Sequence, residues 1–121
     1  MQRVAYQAPE GSPKRTILSL GGLTITAECK TGPAMELVAN PSASQPHSQF
    51  ATDNWTWEDI DFNSGDDATA TFAGEAIRSG TVAFAGSDGS IVTVDALAIE
   101  HANGIRDSTD DCGFFGTASA N

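Results

Sequence analysis

The segment LTITAEC, residues 23–29, alternates apolar and polar side chains without interruption. Leu23, Ile25, Ala27 and Cys29 occupy every second position, so all four project from one face of an extended chain. Two glycines precede the segment, and such a pair favours a tight turn between strands. The segment is therefore predicted to be a β-strand whose cysteine faces the protein core.

Outside this segment, the chain repeats the same pattern of short extended runs separated by Gly, Pro, Asn and Asp. A bent strand is predicted over 49–62, and a hairpin turn of the Asp-Gly type over 86–89. Further strands are predicted at 3–7, 16–20, 35–38, 69–73, 80–85, 90–100 and 112–118. No run is typical of a long helix. The pattern predicts an all-β fold: one antiparallel β-sandwich over residues 1–121, jelly-roll-like or immunoglobulin-like, with about eight strands.

Cys112 opens the last predicted strand and shares a face there with Phe114 and Ala118. Inward positions on two strands of a sandwich can reach the Cα separation of about 5.5 Å that a disulfide needs. A Cys29–Cys112 disulfide is therefore predicted, with two separate buried thiols as the alternative. Such a bond would place the domain outside the cytoplasm, at the cell surface or in an extracellular space. The chain has no C-x-x-C motif, so neither a zinc site nor a redox site is predicted.

The charge balance bears on the partners of the protein. Sixteen acidic residues stand against six basic ones, which gives a formal net charge of −10. This surface repels phosphate groups, so neither nucleic acid nor an anionic membrane is an expected partner. No run approaches the roughly 20 apolar residues of a membrane span, so membrane insertion is not expected either. An apolar signal-peptide region is also not seen, so we expect either no export by that route or a mature or excised domain.

An acidic run suggests a calcium site. Carboxylate and amide side chains at alternate positions, followed by glycine, are similar to the start of a calcium-binding loop. The glycine comes one place late, at Gly65, and the twelfth position is Ala70 instead of glutamate. An ordinary solvated hairpin turn is the alternative, and no other cofactor is predicted. The candidate ligands are Asp59, Asp61, Asn63 and Asp66, and a second, weaker acidic cluster is formed by Asp107, Asp110 and Asp111.

Trp55 and Trp57 are predicted to lie on one face of the bent strand. Two indoles side by side can form a platform on which a sugar stacks, or a contact patch for a protein. The alternative is that both pack in the core, because aromatic side chains dominate core packing. The triplet Asn54-Trp55-Thr56 also fits an N-glycosylation acceptor.

No catalytic residue is predicted. His47 lies in a polar connector and His101 near a turn, and neither lies beside a nucleophile in a known motif. The glycines fall in turns between strands, so they do not form a phosphate-binding loop. We therefore expect a protein that is not an enzyme.

Two segments of the chain are similar in sequence to a known family of protein domains. Residues 20–29, with the pattern G-x-L-T-x-T-A-x-C, and residues 111–118, with C-x-F-x-G-T-A, are similar to β domains of secreted bacterial surface proteins. Some domains of that family follow a collagen-like or Gly-rich stalk. The resemblance implies no catalytic residues, and where a collagen stalk is present it implies a homotrimer.

These observations predict a non-enzymatic structural or adhesive domain of a bacterial surface protein. Two alternatives stay open. One is a carbohydrate-binding module that uses Trp55 and Trp57, with structural calcium. The other is a decoration or tail protein of a virion, which would also be small, rich in β-structure and oligomeric.

Overall fold

A computed structural model describes residues 1–73, 77–100 and 110–121. These residues form ten strands, and all of their pairings are antiparallel. The strands are β1 (Gln2–Ala8), β2 (Ser12–Leu20), β3 (Leu23–Lys30), β4 (Ala34–Pro41), β5 (His47–Asp53), β6 (Asp59–Asn63), β7 (Ala68–Ala73), β8 (Ile77–Ala85), β9 (Ile91–Glu100) and β10 (Cys112–Ala120).

The strands form two sheets that pack face to face, so the predicted β-sandwich is confirmed. The larger sheet has six strands in the order β1-β10-β9-β8-β5-β6, and the smaller has four in the order β2-β3-β4-β7. The nine segments predicted above correspond to ten strands among the described residues, because the segment at 49–62 forms two separate strands, β5 and β6. The strand predicted at 16–20 is longer than expected, because β2 already begins at Ser12.

The tight turn predicted before residue 23 is present. Leu20 and Leu23 pair directly, so only Gly21 and Gly22 connect β2 to β3. Their φ angles are +58° and +88°, and two successive positive φ angles are characteristic of a type I′ hairpin turn. Glycine adopts these angles without the steric cost that a Cβ imposes. The turn therefore sets the register of the hairpin that carries Cys29.

Alternation along the strands builds the core between the sheets. On β3 the side chains of Leu23, Ile25, Ala27 and Cys29 are buried, while the residues between them are partly exposed. The wider part of the core is aromatic. The Phe50 ring lies 4.8 Å from that of Trp57 and 5.3 Å from that of Phe62, between ring centroids. Burial of these large apolar groups is the main source of stability in such a fold.

Candidate functional site

The Cys29–Cys112 disulfide is present, as the alternation of the two strands predicted. Cys29 lies on β3 in the small sheet, and Cys112 lies on β10 in the large sheet. Their Cα atoms are 5.8 Å apart, and both side chains are fully buried. The bond therefore joins the two sheets through the core and closes a loop between residues separated by 83 positions.

Three of the four predicted calcium ligands form local hydrogen bonds through their side chains, and Asp61 does so through its backbone N–H. Asp59 accepts a hydrogen bond from the backbone N–H of Asp61 at 3.0 Å, and Asp66 accepts one from the backbone N–H of Asn63 at 2.9 Å. The side chain of Asn63 is paired with the ring of His47 at 3.1 Å. These contacts shape a tight turn that leads from β6 in the large sheet to β7 in the small sheet, so it is not the hairpin turn that was the alternative prediction. Across the described ranges, no group of three or more His, Cys, Asp or Glu side chains is arranged to hold a metal ion.

Only two of the three residues in the second acidic cluster belong to the described part of the chain. Asp107 lies outside the described residues. Asp110 accepts a hydrogen bond from the side chain of Gln7 at 2.8 Å. Asp111 is buried and accepts one from the backbone N–H of Glu10 at 2.9 Å. Asp110 thus attaches the segment before β10 to β1, and Asp111 attaches it to the turn that follows β1.

Both indoles lie in the core, which corrects the prediction of a sugar-stacking platform. Trp55 is 7% exposed and Trp57 is 2% exposed. Neither belongs to a strand, because both lie in the bend between β5 and β6. The bend packs against β7 at the edge of the small sheet, through Trp57 and Ala68, and against Gly80 of β8 in the large sheet. With both rings covered, a sugar has no indole face on which to stack.

The two indole N–H groups have different surroundings. Trp57 donates a hydrogen bond to the backbone carbonyl of Ala68 at 2.7 Å, which attaches the bend to the first residue of β7. The buried Nε1 of Trp55 has no hydrogen-bond partner among the described residues. The side chain of Thr52 helps to shape the bend, because its hydroxyl lies 2.9 Å from the carbonyl oxygens of both Trp55 and Trp57 and can donate its single proton to either one.

Of the two histidines considered as catalytic candidates, His47 lies in the described part of the chain. His47 lies on the surface at the start of β5, where its ring contacts Asn63. His101 lies outside the described residues.

A surface turn lowers the pKa of one carboxyl group. Asp88, in the turn between β8 and β9, accepts hydrogen bonds from the Ser90 hydroxyl at 2.6 Å and from the Ser90 backbone N–H at 2.9 Å. These bonds, led by that of the hydroxyl, lower the pKa of Asp88 to about 2. The buried side chain of Gln45 accepts from the hydroxyl of Ser87 and thereby connects this turn to the segment between β4 and β5.

The outer face of the large sheet carries an apolar patch that the sequence analysis did not identify. Ile77 pairs with Ile99, and Leu97 pairs with Phe115 on the neighbouring strand. Directly paired residues of antiparallel strands share a face, so these four side chains, here called the outer patch, lie together. Ile77 is 62% exposed and Leu97 is 36% exposed. The sequence of β9 contained this signal, because Leu97 and Ile99 are apolar although they alternate with the buried residues of the strand.

A small cleft of about 110 Å³ opens at the other side of the sandwich. Its walls are residues 70–73 of β7, Trp55 and Thr56 of the bend, and Arg78 of β8. A lone arginine in a strand has no distinguishing sequence pattern, so Arg78 was not among the predicted site residues. The pairing of β8 with β5 places Arg78 beside the bend that follows β5, and the packing of the two sheets adds β7.

No family model matches the chain, and the comparisons with curated proteins and with solved structures likewise gave no match. The resemblance to β domains of bacterial surface proteins therefore stays a prediction. Within the described ranges, no helix is long and apolar enough to cross a membrane.

Proposed function

We propose that this protein is a non-enzymatic structural or adhesive domain of a bacterial surface protein. The observation that carries the proposal is the buried disulfide between the two sheets. Disulfides form and persist in oxidising surroundings, which supports a location outside the cytoplasm. A bond of this kind also preserves the fold where no cellular machinery can repair it.

The outer patch supports an adhesive or assembly role. Contiguous exposed apolar groups on a soluble protein are typical of surfaces that contact another protein. In the outer patch, Leu97 and Ile99 of β9 lie between one apolar side chain of β8 and one of β10. The patch therefore lies on a rigid sheet. The acidic surface elsewhere keeps such a protein in solution until a complementary surface covers the patch.

The location is tested by antibody labelling of the organism that encodes the chain. Intact cells should label as strongly as permeabilised cells. Labelling that requires permeabilisation would overturn the proposal, and labelling of purified virions alone would replace it with a virion protein.

The adhesive role is tested by substitutions on the outer face of the large sheet. Leu97→Asp should reduce attachment of cells to one another or to a surface, because it places a charge in the centre of the outer patch. Thr93→Asp, on the same face of β9 but outside the patch, is the matched control. Equal attachment of the two variants and the unmodified protein would show that the patch is not an adhesive surface.

A further inference from the structure

Each of the two sheets has two edge strands, and an unprotected edge is a template for pairing with another chain. The edges of the large sheet are β1 and β6, and those of the small sheet are β2 and β7. Proteins protect such edges with short strands, proline, lysine, β-bulges or a covering loop. A comparison of the four edges therefore shows where a further strand can be added.

Both edges of the small sheet are protected. The first half of β2 contains Pro13 and Lys14, and the pairing of β2 with β3 has two register shifts. The bend between β5 and β6 lies against β7, where Trp57 donates its indole N–H to the carbonyl of Ala68. Neither strand offers a regular, open edge to a partner.

The β6 edge of the large sheet is protected as well. This strand has only five residues. The carboxylate of Asp59 accepts the backbone N–H of Asp61 at 3.0 Å. The carboxylate of Asp66 accepts the backbone N–H of Asn63 at 2.9 Å. Two donors of this short strand are thus already bonded to side chains.

The edge of β1 has none of these features. Its seven residues, Gln2–Ala8, pair with β10 in one unbroken register and include neither proline nor lysine. Among the described residues, no strand other than β10 pairs with β1. Half of the backbone N–H and C=O groups of an edge strand face away from its neighbour. Of the four edges, β1 is therefore the one best suited to take up a further strand.

The sequence of β1 is compatible with antiparallel pairing to a second copy of itself. A twofold axis at Ala5 would place the two Ala5 residues opposite each other and Val4 opposite Tyr6. Arg3 would then lie opposite Gln7 of the second copy. Because Arg3 is the one charged residue of the strand, this register places no like charges opposite each other.

The charge of Arg3 favours this register. Its side chain is exposed, and within residues 1–73, 77–100 and 110–121 it forms no ion pair or hydrogen bond, in a chain with sixteen acidic residues. Gln7 donates its side-chain N–H to the carboxylate of Asp110 at 2.8 Å. Directly opposite side chains lie about 4.5–5.5 Å apart at Cβ, so Arg3 of one copy would reach Asp110 of the other. Four residues of extended chain, about 13 Å, separate Arg3 from its own Gln7.

We infer that two copies of this protein pair through β1 and form a symmetric dimer. Their large sheets, six strands from each copy, then join into one continuous sheet of twelve strands. A twofold contact uses the same surface on both copies, so the assembly closes as a dimer and does not grow into a fibre. The inference rests on the edge of β1 and depends neither on the location of the protein nor on the outer patch.

Sedimentation equilibrium of the full chain over a range of concentrations tests the dimer. The unmodified protein should reach twice the mass of one chain. Ala5→Lys and Ala5→Glu should each weaken the dimer by about fivefold, because each places two like charges opposite each other at the axis. An equimolar mixture of the two variants should form a heterodimer at least as tight as the unmodified dimer, since opposite charges then face each other. A monomer at every concentration, or a mixture that associates no better than its components, would overturn the inference.

A second substitution tests the register. Arg3→Glu should weaken the dimer by about tenfold, because it removes two intermolecular ion pairs and places a carboxylate beside each Asp110. Arg78→Glu on β8 makes the same change of charge away from β1 and should leave the dimer in place. Equal weakening by both substitutions would show that only the overall charge matters and would contradict the pairing of β1.

The outer patch is separated from the β1 edge by one further comparison. Leu97→Asp, which tests the adhesive role, should leave the dimer intact. Amide hydrogen exchange along β1 should slow as the concentration of the protein rises, whereas exchange along β7 should not change. A dimer that is lost with Leu97→Asp but kept with Ala5→Lys would place the contact on the outer patch and overturn the inference.

Discussion

At the scale of single residues, close contacts limit what this chain tolerates. Gly80 of β8 is the clearest case, because the Trp55 indole lies directly against it. A Cβ placed on Gly80 would lie 2.5 Å from Cε2 of Trp55 and 2.6 Å from the carbonyl oxygen of Asp53. The absence of a side chain at Gly80 therefore allows the bend to pack on the sheet.

Gly80→Ala should destabilise the protein by about 1–3 kcal/mol, since an added methyl group in a filled space forces the ring and the backbone apart. Urea unfolding measures the change. Ser79→Ala, at the neighbouring exposed position, should change stability by less than about 0.5 kcal/mol. Equal stability of Gly80→Ala and the unmodified protein would show that the indole can move away at no cost.

The acidity of Asp88 is a second property that belongs to single residues. Its pKa in the folded protein is about 2, below the ordinary 3.8. A depressed carboxyl pKa favours the folded state above the ordinary pKa, and this contribution is lost as the pH falls through the folded value. The contribution of Asp88 should therefore be complete above about pH 4 and disappear towards pH 2.

NMR titration of the Asp88 carboxyl should give a midpoint near 2, and Ser90→Ala should raise it towards 3.8, because the hydroxyl is the leading cause of the shift. Ser119→Ala on β10 is the control and should leave the midpoint in place. A midpoint that does not respond to Ser90→Ala would contradict the hydrogen bonds described for this turn.

At the scale of elements, the bend between β5 and β6 lies alongside β7, the edge strand of the small sheet. Exposed strand edges promote unwanted pairing, and covering an edge with a loop is one way to prevent it. The hydrogen bond from Trp57 to the carbonyl of Ala68 holds the bend in this position. Trp55 packs beside it, against Phe72 at 5.9 Å between ring centroids.

The two indoles form a matched pair for testing this arrangement. Trp57→Phe should destabilise the protein by about 1 kcal/mol more than Trp55→Phe, since only the first change leaves a backbone carbonyl without its donor. Chemical unfolding of both variants under the same conditions makes the comparison. A larger loss for Trp55→Phe would mean that packing, and not the hydrogen bond, holds the bend.

At the scale of the whole molecule, the disulfide joins the two sheets near one end of the sandwich. By the chain-entropy account, closing a loop of this length stabilises the folded state by up to about 4–5 kcal/mol. Many strand pairings connect residues far apart in the sequence, such as Gln2 with Ala118. The unfolded chain therefore has much conformational freedom for the bond to remove.

The double variant Cys29→Ala, Cys112→Ala should lose several kcal/mol of stability, and its thermal midpoint should fall accordingly. Differential scanning calorimetry compares it with the oxidised protein. The reduced unmodified protein is the control, because it lacks the bond but keeps both sulfur atoms. A double variant as stable as the oxidised protein would show that the bond protects against unfolding only weakly.

The apolar alternation of the chain was enough to predict the sandwich and the inward orientation of both cysteines. This holds because side-chain direction in a strand depends only on position along the chain. The turn at Gly21 and Gly22 could also be predicted from the sequence, since it depends on two adjacent residues. Local pattern thus determined the class of fold, the strand faces and the possibility of the disulfide.

The tertiary structure decided everything that depends on which strands become neighbours. It placed β7 at a sheet edge, brought the bend onto it and so buried Trp55 and Trp57, which alternation had assigned to one strand face. The same packing brought Arg78 to the cleft and gathered the outer patch across three strands. Periodicity describes one strand at a time, whereas these features arise from contacts between residues far apart in the sequence.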